Sequence, residues 1–369
     1  MWRFSSPQII FGRDSVEHVE TFRDRRCLIV TDEVIKDLGY VDSISKYLEN
    51  HETVAIRADE PCTDDALELA EKMRYIQPEI IIALGGGSVI DAAKAGRILM
   101  EVDIPPEEIT PFTDLEEYGF KGKTVLVAIP TTSGTGSEVT WAIVLKDERE
   151  KRKVIMANVK TMPEIAIIDP FFTYSMPENL VIWSGFDALT HAIEAFLSSF
   201  SNPFSDALAS NSASMIFSNF IRSHRGERDA RENMHISATM AGMAFSNSQV
   251  GIVHALAHAT GASLNIPHGL AVSAFLYPVL EFYSERGVKR LNELCLKIGH
   301  NVLQEVERLE SVFEIRKIID GSEIKMHQDE IVKKAMEDSC IVTAPFVPAE
   351  DDIAEIIERM VERCMQEES

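Results

Sequence analysis

The sequence predicts an α/β domain followed by an all-α domain. The first is an N-terminal doubly wound, Rossmann-like parallel sheet over residues 1–176, and the second is helical over 177–369. Three observations lead there. Short apolar runs alternate with amphipathic segments in the first half, as in a chain of βα units. After Asp169-Pro170 the strand signals nearly vanish and apolar residues recur at helical spacing. The length, 369 residues, suits two domains of ordinary size.

Cys27-Leu-Ile-Val-Thr31 reads as a buried strand, with a helix-like stretch following it to about Asn50. Val54-Ala-Ile-Arg57 is the next strand. Thr63-Asp64-Asp65 then caps a helix to about Ile76, its acidic residues matching the positive end of the helix dipole. Ile80-Ile-Ile-Ala-Leu84 is a third strand running straight into glycines, and Val125–Ile129 and Ile165–Ile168 are further strands. Beyond Pro177, Glu178–Phe200, Ser205–His224 and Asp229–Gly261 each read as one helix, with breaks near Pro203 and Gly226. No Gly/Ser- or Pro-rich linker marks the boundary near 177, so tight packing with a cleft between the domains is expected.

Lys and Arg number 36 against 59 Asp and Glu, a formal charge of −23. Such a balance repels phosphate backbones and argues against nucleic acid and anionic membrane as partners. The five cysteines, Cys27, Cys62, Cys295, Cys340 and Cys364, form no C-x-x-C pair and do not resemble a disulfide framework. Met1–Ile10 lacks the basic-then-apolar pattern of a signal peptide, and no continuous apolar run reaches the roughly 18 residues that span a bilayer. The cytoplasm is the expected location.

Three stretches carry chemistry. Gly85-Gly86-Gly87-Ser88 follows a strand, and Asp91-Ala-Ala-Lys94 opens a helix. Glycines there let a backbone approach an anion while helix-start N–H groups attract it, although an ordinary tight turn has the same look. It is not the G-x-G-x-x-G dinucleotide fingerprint. Pro130-Thr-Thr-Ser-Gly-Thr-Gly-Ser-Glu138 is a second polar loop after a strand, and two such loops on one sheet favour a nucleotide site over plain connections.

In the helical half, Asp187 and His191 stand four apart, as do His254 and His258, and His268 follows ten residues later. A lone histidine on an apolar face is usually a core residue. Four of ten histidines plus a carboxylate on two helix faces and a loop are costly to bury without a shared cation. Imidazoles with one oxygen suit Zn²⁺ or Fe²⁺; Mg²⁺ and Ca²⁺ prefer all-oxygen sites.

With these residues in view, the sequence resembles the iron-dependent, or group III, alcohol dehydrogenase family over almost its whole length. The likeness runs from Phe4-x-x-Pro7 and Ile10-Phe11-Gly12 through the two polar loops to Gly185-Phe-Asp-Ala-Leu-Thr-His-Ala-Ile-Glu-Ala195, Ala241-Gly-Met-Ala-Phe-Ser-Asn247 and Pro267-His268-Gly269. The resemblance implies that Asp187, His191, His254 and His268 ligate a divalent metal, and that His258 sits beside the nicotinamide as a catalytic residue. It implies that Gly86, Gly87 and Ser88 hold the pyrophosphate of the cofactor. Thr131, Thr132 and Lys153 would make other cofactor contacts, and Asp32 would lie beside the adenosine ribose.

Two departures stand out. Glu60-Pro61-Cys62-Thr63 replaces a common Pro-Asn-Pro-Thr, removing an asparagine expected near the cofactor. Ala344-Pro345-Phe346 stands where Asn-Pro-Arg is common.

The implied activity is hydride transfer between NAD, with NADP less favoured, and a small alcohol or aldehyde. Asp32, with Glu33 next to it, would repel the 2′-phosphate of NADP; its bland alternative role is a helix cap. Trp141 and Ala142 directly follow the Thr-rich loop. With Phe245 they are candidate pocket residues, their apolar surface favouring an aliphatic substrate. A homo-oligomer, first of all a dimer, is expected.

Rival readings are a dehydroquinate synthase or glycerol-1-phosphate dehydrogenase of the same superfamily, or a catalytically silent metal- or nucleotide-binding protein. A phosphate-bearing substrate would want Lys and Arg near the metal ligands. Between Pro177 and Leu280 the basic residues are Arg222, Arg225, Arg228 and Arg231, clustered in one polar connection.

Overall fold

The computed structural model describes residues 3–57, 61–147 and 152–365. Met1 and Glu60, which enter the sequence readings above, lie outside the described residues. The chain divides into two compact units, one of them Ser5–Met176 and the other beginning at Pro177 and including Phe4.

The first unit is built on six parallel strands: β1 (Gln8–Phe11), β2 (Cys27–Asp32), β3 (His51–Ile56), β4 (Ile80–Gly85), β5 (Val125–Pro130) and β8 (Ile165–Ile168), in the order β1-β8-β5-β4-β2-β3. The central strands are buried on both faces, which is why they read as unbroken apolar runs. In β2, Cys27 and Ile29 pack on one face while Leu28 and Val30 pack on the other. β1 is an edge strand of four residues with exposed ends, too short and too weakly patterned to stand out in the sequence.

The stretch after β2, expected as one helix to Asn50, is two short ones, α1 (Glu33–Asp37) and α2 (Tyr40–Ser45), broken at Gly39, whose φ of 74° is left-handed. The helix α3 (Thr63–Ile76) is capped by Cys62 and not by Thr63. The Cys62 sulfur accepts the Asp65 N–H at 3.3 Å, and Asp65 accepts the Cys62 N–H in return.

After the Thr-rich loop comes β6 (Ala142–Asp147). It pairs with β7 (Arg152–Ala157) in an antiparallel ribbon separate from the six-stranded sheet. Ile143, Leu145, Val154 and Met156 bury the ribbon's inner face against Ala66 and Ala70 of α3 and against Ile98 and Leu99 of α4 (Gly87–Leu99).

The second unit is helical: α5 (Glu178–Leu197), α6 (Pro203–His224), α7 (Arg228–Ser246), α8 (Ile252–Leu264), α9 (His268–Glu285) and, among the described residues, six further helices. Asn202 and Ser205 cap α6 reciprocally, with Pro203 in its first turn. The single helix expected over Asp229–Gly261 is two. Asn247–Gly251 interrupts it, Gln249 has a φ of 69°, and α8 starts afresh at Ile252. Among the described residues α5 is the one helix long and apolar enough to cross a membrane, yet 83% of its apolar window is buried within the protein.

One ion pair ties α4 to the Thr-rich loop and the ribbon. Lys94, on α4 and fully buried, donates to Asp91 Oδ1 (3.3 Å), Ser137 Oγ (2.8 Å), Thr140 Oγ1 (3.2 Å) and the Ala142 carbonyl (3.2 Å). Asp91 accepts in turn from Ser137 Oγ and from the Val144 N–H. Removing one member of such a pair strands the other, at about 3–5 kcal/mol. Lys94→Met should therefore lower the unfolding free energy by about that much, and Asp91→Asn in the same chain should recover part of it. An unchanged denaturation midpoint in Lys94→Met would show the pair to be dispensable.

Candidate metal and nucleotide sites

The nucleotide candidates gather at the carboxyl edge of the sheet. The chain leaves β2 toward β3 on one side and returns to β4 on the other, so the order reverses between β2 and β4, where ligands of open α/β sheets bind. Asp32 ends β2, Gly85 ends β4, and Gly85 is in register with Pro130 at the end of β5.

Gly86 caps α4, so the N–H groups of Gly87, Ser88 and Val89 have no acceptor within the helix. That is an anion-binding arrangement. The two loops touch: Thr131 N–H donates to the Gly85 carbonyl at 3.0 Å, and a Cβ at Gly87 would lie 2.8 Å from the Thr135 methyl. Only glycine fits at 87, and Thr132 faces Gly86 across the same gap.

Asp32 is buried, and its Oδ1 accepts the Ile35 N–H at 2.8 Å, so it does cap α1. Lys153 lies on the ribbon strand β7, opposite Lys146. Trp141 precedes the ribbon and Ala142 opens it; their carbonyls accept from Thr161 and Lys94 respectively.

In the helical unit, α5 brings Asp187, His191 and Glu194 to one face through spacings of four and three. Asp187 Oδ1 stands 3.7 Å from His191 Nε2, 3.6 Å from His254 Nε2 and 3.4 Å from His268 Nε2. Two ligands about 2.1 Å from one ion at a tetrahedral angle stand about 3.4 Å apart. Asp187 Oδ1 and His254 Nε2 are buried with no hydrogen-bond partner. Such atoms cost about 1–3 kcal/mol each if left unmet, and a divalent ion among these donors satisfies both. The donor set fits a metal of the Zn²⁺ or Fe²⁺ type.

His268 is the first residue of α9 and reaches the cluster because α9 approaches α5 closely. At Gly269 a Cβ would fall 2.6 Å from the Trp183 carbonyl oxygen. The His191 ring stacks between those of Phe245 (4.1 Å) and His254 (4.6 Å), so Phe245 lies directly against the cluster.

Burial would raise the Asp187 pKa, but the surrounding imidazoles hold it well below the usual carboxylate range. Burial lowers His254, and Asp187 and Glu194 outweigh that, lifting it to about 9 in the absence of metal.

Two carboxylates escaped the sequence reading. Glu194 Oε2 accepts from His254 Nδ1 at 2.6 Å, and its Oε1 accepts the Val253 N–H at 2.7 Å. It lies seven residues after Asp187, on the same helical face, and that spacing was the available signal. Asp338 accepts from His258 Nδ1 at 2.8 Å. Eighty residues separate the two, and nothing in the sequence pairs them.

His258 lies beside the cluster, its ring 5.3 Å from that of His268 and 6.0 Å from that of His254. Burial pushes its pKa down, while Asp338 is held at about 2 by its hydrogen bonds in spite of its own burial. An ionised Asp338 only accepts, so Nδ1 of a neutral His258 carries the proton and Nε2 keeps its lone pair. Phe346, the residue in place of the common arginine, packs against Phe282 and Tyr283 at ring distances of 6.0 and 5.9 Å.

Comparison with known proteins decides the family. Residues 6–170 match the family described as iron-containing alcohol dehydrogenase, and residues 181–361 match the C-terminal part of the Fe-containing alcohol dehydrogenase family. This chain belongs to the iron-containing alcohol dehydrogenases. It is 34% identical to the NADPH-dependent butanol dehydrogenase of Clostridium saccharobutylicum over 97% of both chains. It is also 34% identical to an alcohol dehydrogenase of Thermococcus barophilus, over 95% of this chain and 97% of that one. The solved iron-containing alcohol dehydrogenase of Thermococcus thioreducens superposes with a TM-score of 0.90 at 29% identity, covering 98% of this chain and all of the other. The protein is thus an iron-type alcohol dehydrogenase, an oxidoreductase of a family that pairs a divalent metal with NAD(P).

Partners that orient a metal-ligating histidine contribute 10–100-fold to metal affinity. Glu194→Gln, which keeps one acceptor oxygen for two donors, should weaken metal binding in a chelator competition by about that factor. His268→Ala should lose most bound metal while staying folded. Undiminished metal stoichiometry in His268→Ala would remove that residue from the ligand set.

Proposed function

We propose that this alcohol dehydrogenase oxidises, or forms, a small aliphatic alcohol with NAD, using a metal held by Asp187, His191, His254 and His268. The observation that carries the reading is the buried Asp187 carboxylate facing three imidazole nitrogens at 3.4–3.7 Å. A divalent ion bound there supplies Lewis acidity, and a bound nicotinamide supplies the two-electron acceptor.

The chain's own residues do the rest. Glu194 fixes the His254 ring. Gly86, Gly87 and Ser88, with Thr131 and Thr132, hold the pyrophosphate and neighbouring cofactor atoms, and Lys153 makes a further cofactor contact. His258, neutral with a free Nε2, takes the proton that the alcohol releases. Phe245 gives the cluster an apolar wall, in keeping with an aliphatic substrate. Trp141 and Ala142 are proposed as further apolar pocket residues.

The phosphate-substrate alternatives are disfavoured by where the four arginines between Pro177 and Leu280 lie. Arg222 is paired with Glu227 and Asp229, and buried Arg231 donates to the Ser223 carbonyl, all at the α6–α7 connection. The acidic surface and the burial of α5 support a soluble cytoplasmic enzyme without nucleic-acid or membrane partners, and a homodimer is the default assembly.

The direct test is turnover with NAD and a panel of short alcohols after metal loading, against the silent-protein alternative. His258→Gln should keep its metal and lose about 10²–10⁴-fold in turnover, the usual contribution of a positioned proton acceptor. Wild-type rates in that variant would refute the relay.

Asp32 is proposed to select NAD, since capping α1 leaves a carboxylate at the end of β2 where a ribose 2′-phosphate would meet like charge. NAD should be clearly preferred by the wild type, and Asp32→Gly should gain substantial NADP use. Equal kinetics with both cofactors in the wild type would contradict the assignment, and the NADPH-dependent relative makes the comparison informative.

A further inference from the structure

We propose that Asp338 is a positioning residue that selects the working tautomer of His258. The inference rests on the relay reading of His258 given above. The segment involved sits 80 residues from His258 in the chain, where the helix Gln328–Glu337 ends and a 3-10 turn, Ser339–Thr343, begins.

Asp338 caps that turn: its Oδ1 accepts the Cys340 N–H at 2.8 Å, while its Oδ2 accepts from His258 Nδ1 at 2.8 Å. Two donors therefore converge on one side chain. A carboxylate has an acceptor oxygen for each; an amide has one oxygen and one NH₂. The carboxylate is mostly buried, its side chain 13% exposed, and the His258 side chain is 22% exposed. The turn itself is pinned to the rest of the helical unit. Thr343 Oγ1 donates to the Val250 carbonyl just before α8, and Ser199 N–H donates to the Thr343 carbonyl just after α5. The acceptor is thus held beside α5 and α8, two of the three helices that carry the histidine cluster. Nδ1 must be the protonated nitrogen, and Nε2 is left as a base.

In Asp338→Asn the amide oxygen can keep either the Cys340 N–H or the His258 N–H. If it keeps the turn, its NH₂ faces Nδ1 and stabilises the opposite tautomer, with the proton on Nε2 where it blocks uptake. If it serves His258 instead, NH₂ faces the Cys340 N–H and the cap is lost. Either way the dyad no longer holds the ring as the wild type does.

The test is a double-mutant cycle on the metal-loaded enzyme with His258→Gln and Asp338→Asn, alone and together. Metal content, NAD binding by calorimetry and thermal midpoint are measured alongside kcat and KM. Asp338→Asn should lower kcat at least tenfold with metal and NAD binding intact and KM little changed. In the His258→Gln background the same substitution should have almost no further effect, because the group it acts through is gone. Asp338→Glu, which restores two acceptor oxygens, should recover part of the rate.

Full additivity of the two substitutions, or wild-type kcat in Asp338→Asn, overturns the positioning role while leaving the relay standing if His258→Gln is impaired. Should His258→Gln itself keep wild-type turnover, the relay falls first and this inference with it.

Discussion

The helical unit depends on one carboxylate contact, that of Glu194 with the start of α8. Glu194 Oε1 accepts from the N–H of Val253, which has no acceptor within its own helix, while Oε2 accepts from His254 Nδ1 one residue further on. A single side chain thus caps a helix and fixes a candidate ligand in the same stroke. It works only because the chain breaks at Asn247–Gly251, placing His254 in a first turn and not in mid-helix. Gly251 belongs to the same arrangement, since a Cβ there would lie 2.9 Å from Glu194 Oε1. The helix break, the glycine and the buried acid are one device.

Around that contact the cluster stores unmet polarity. Asp187 Oδ1 is buried against imidazoles with which it makes no hydrogen bond and which stand close enough to share an ion. A protein without a ligand in view would gain by replacing such a group with an apolar one of similar size. The rigid surroundings, with α5 and α9 in backbone contact at Gly269 and His191 stacked between two rings, keep the donors from collapsing onto one another. This is preorganisation by packing, and it suits a site whose contribution is position and charge. His258 differs from His191, His254 and His268 in standing outside the set of nitrogens that face the Asp187 oxygen, and Asp338 orients it there as a proton-handling histidine.

In the sheet unit a parallel logic operates with backbone in place of imidazole. Lys94 and Asp91, on the helix that the glycine turn opens, bind that helix to the Thr-rich loop and to the start of the ribbon. The helix-start N–H groups stay unencumbered because residue 87 has no side chain to fill the space before Thr135.

The sequence alone determined whatever follows from local periodicity and composition. Continuous apolar runs announced strands buried on both faces, and helical spacing announced the second unit. Repeated four-residue spacings placed Asp187 with His191 and His254 with His258, because a helix puts such pairs on one face wherever it occurs. Glu194 was readable by the same rule, seven residues past Asp187. Tertiary structure decided the rest. The break before α8 and the two short helices after β2 depend on left-handed residues and on neighbouring caps. The isolation of the β6–β7 ribbon depends on which surface its apolar face finds, and the capping of α3 by Cys62 on a sulfur that ordinary capping preferences pass over. Above all, the Asp338–His258 hydrogen bond joins residues 80 apart, and no local rule of spacing or propensity encodes a contact that only the packing of α8 against the following helices brings about.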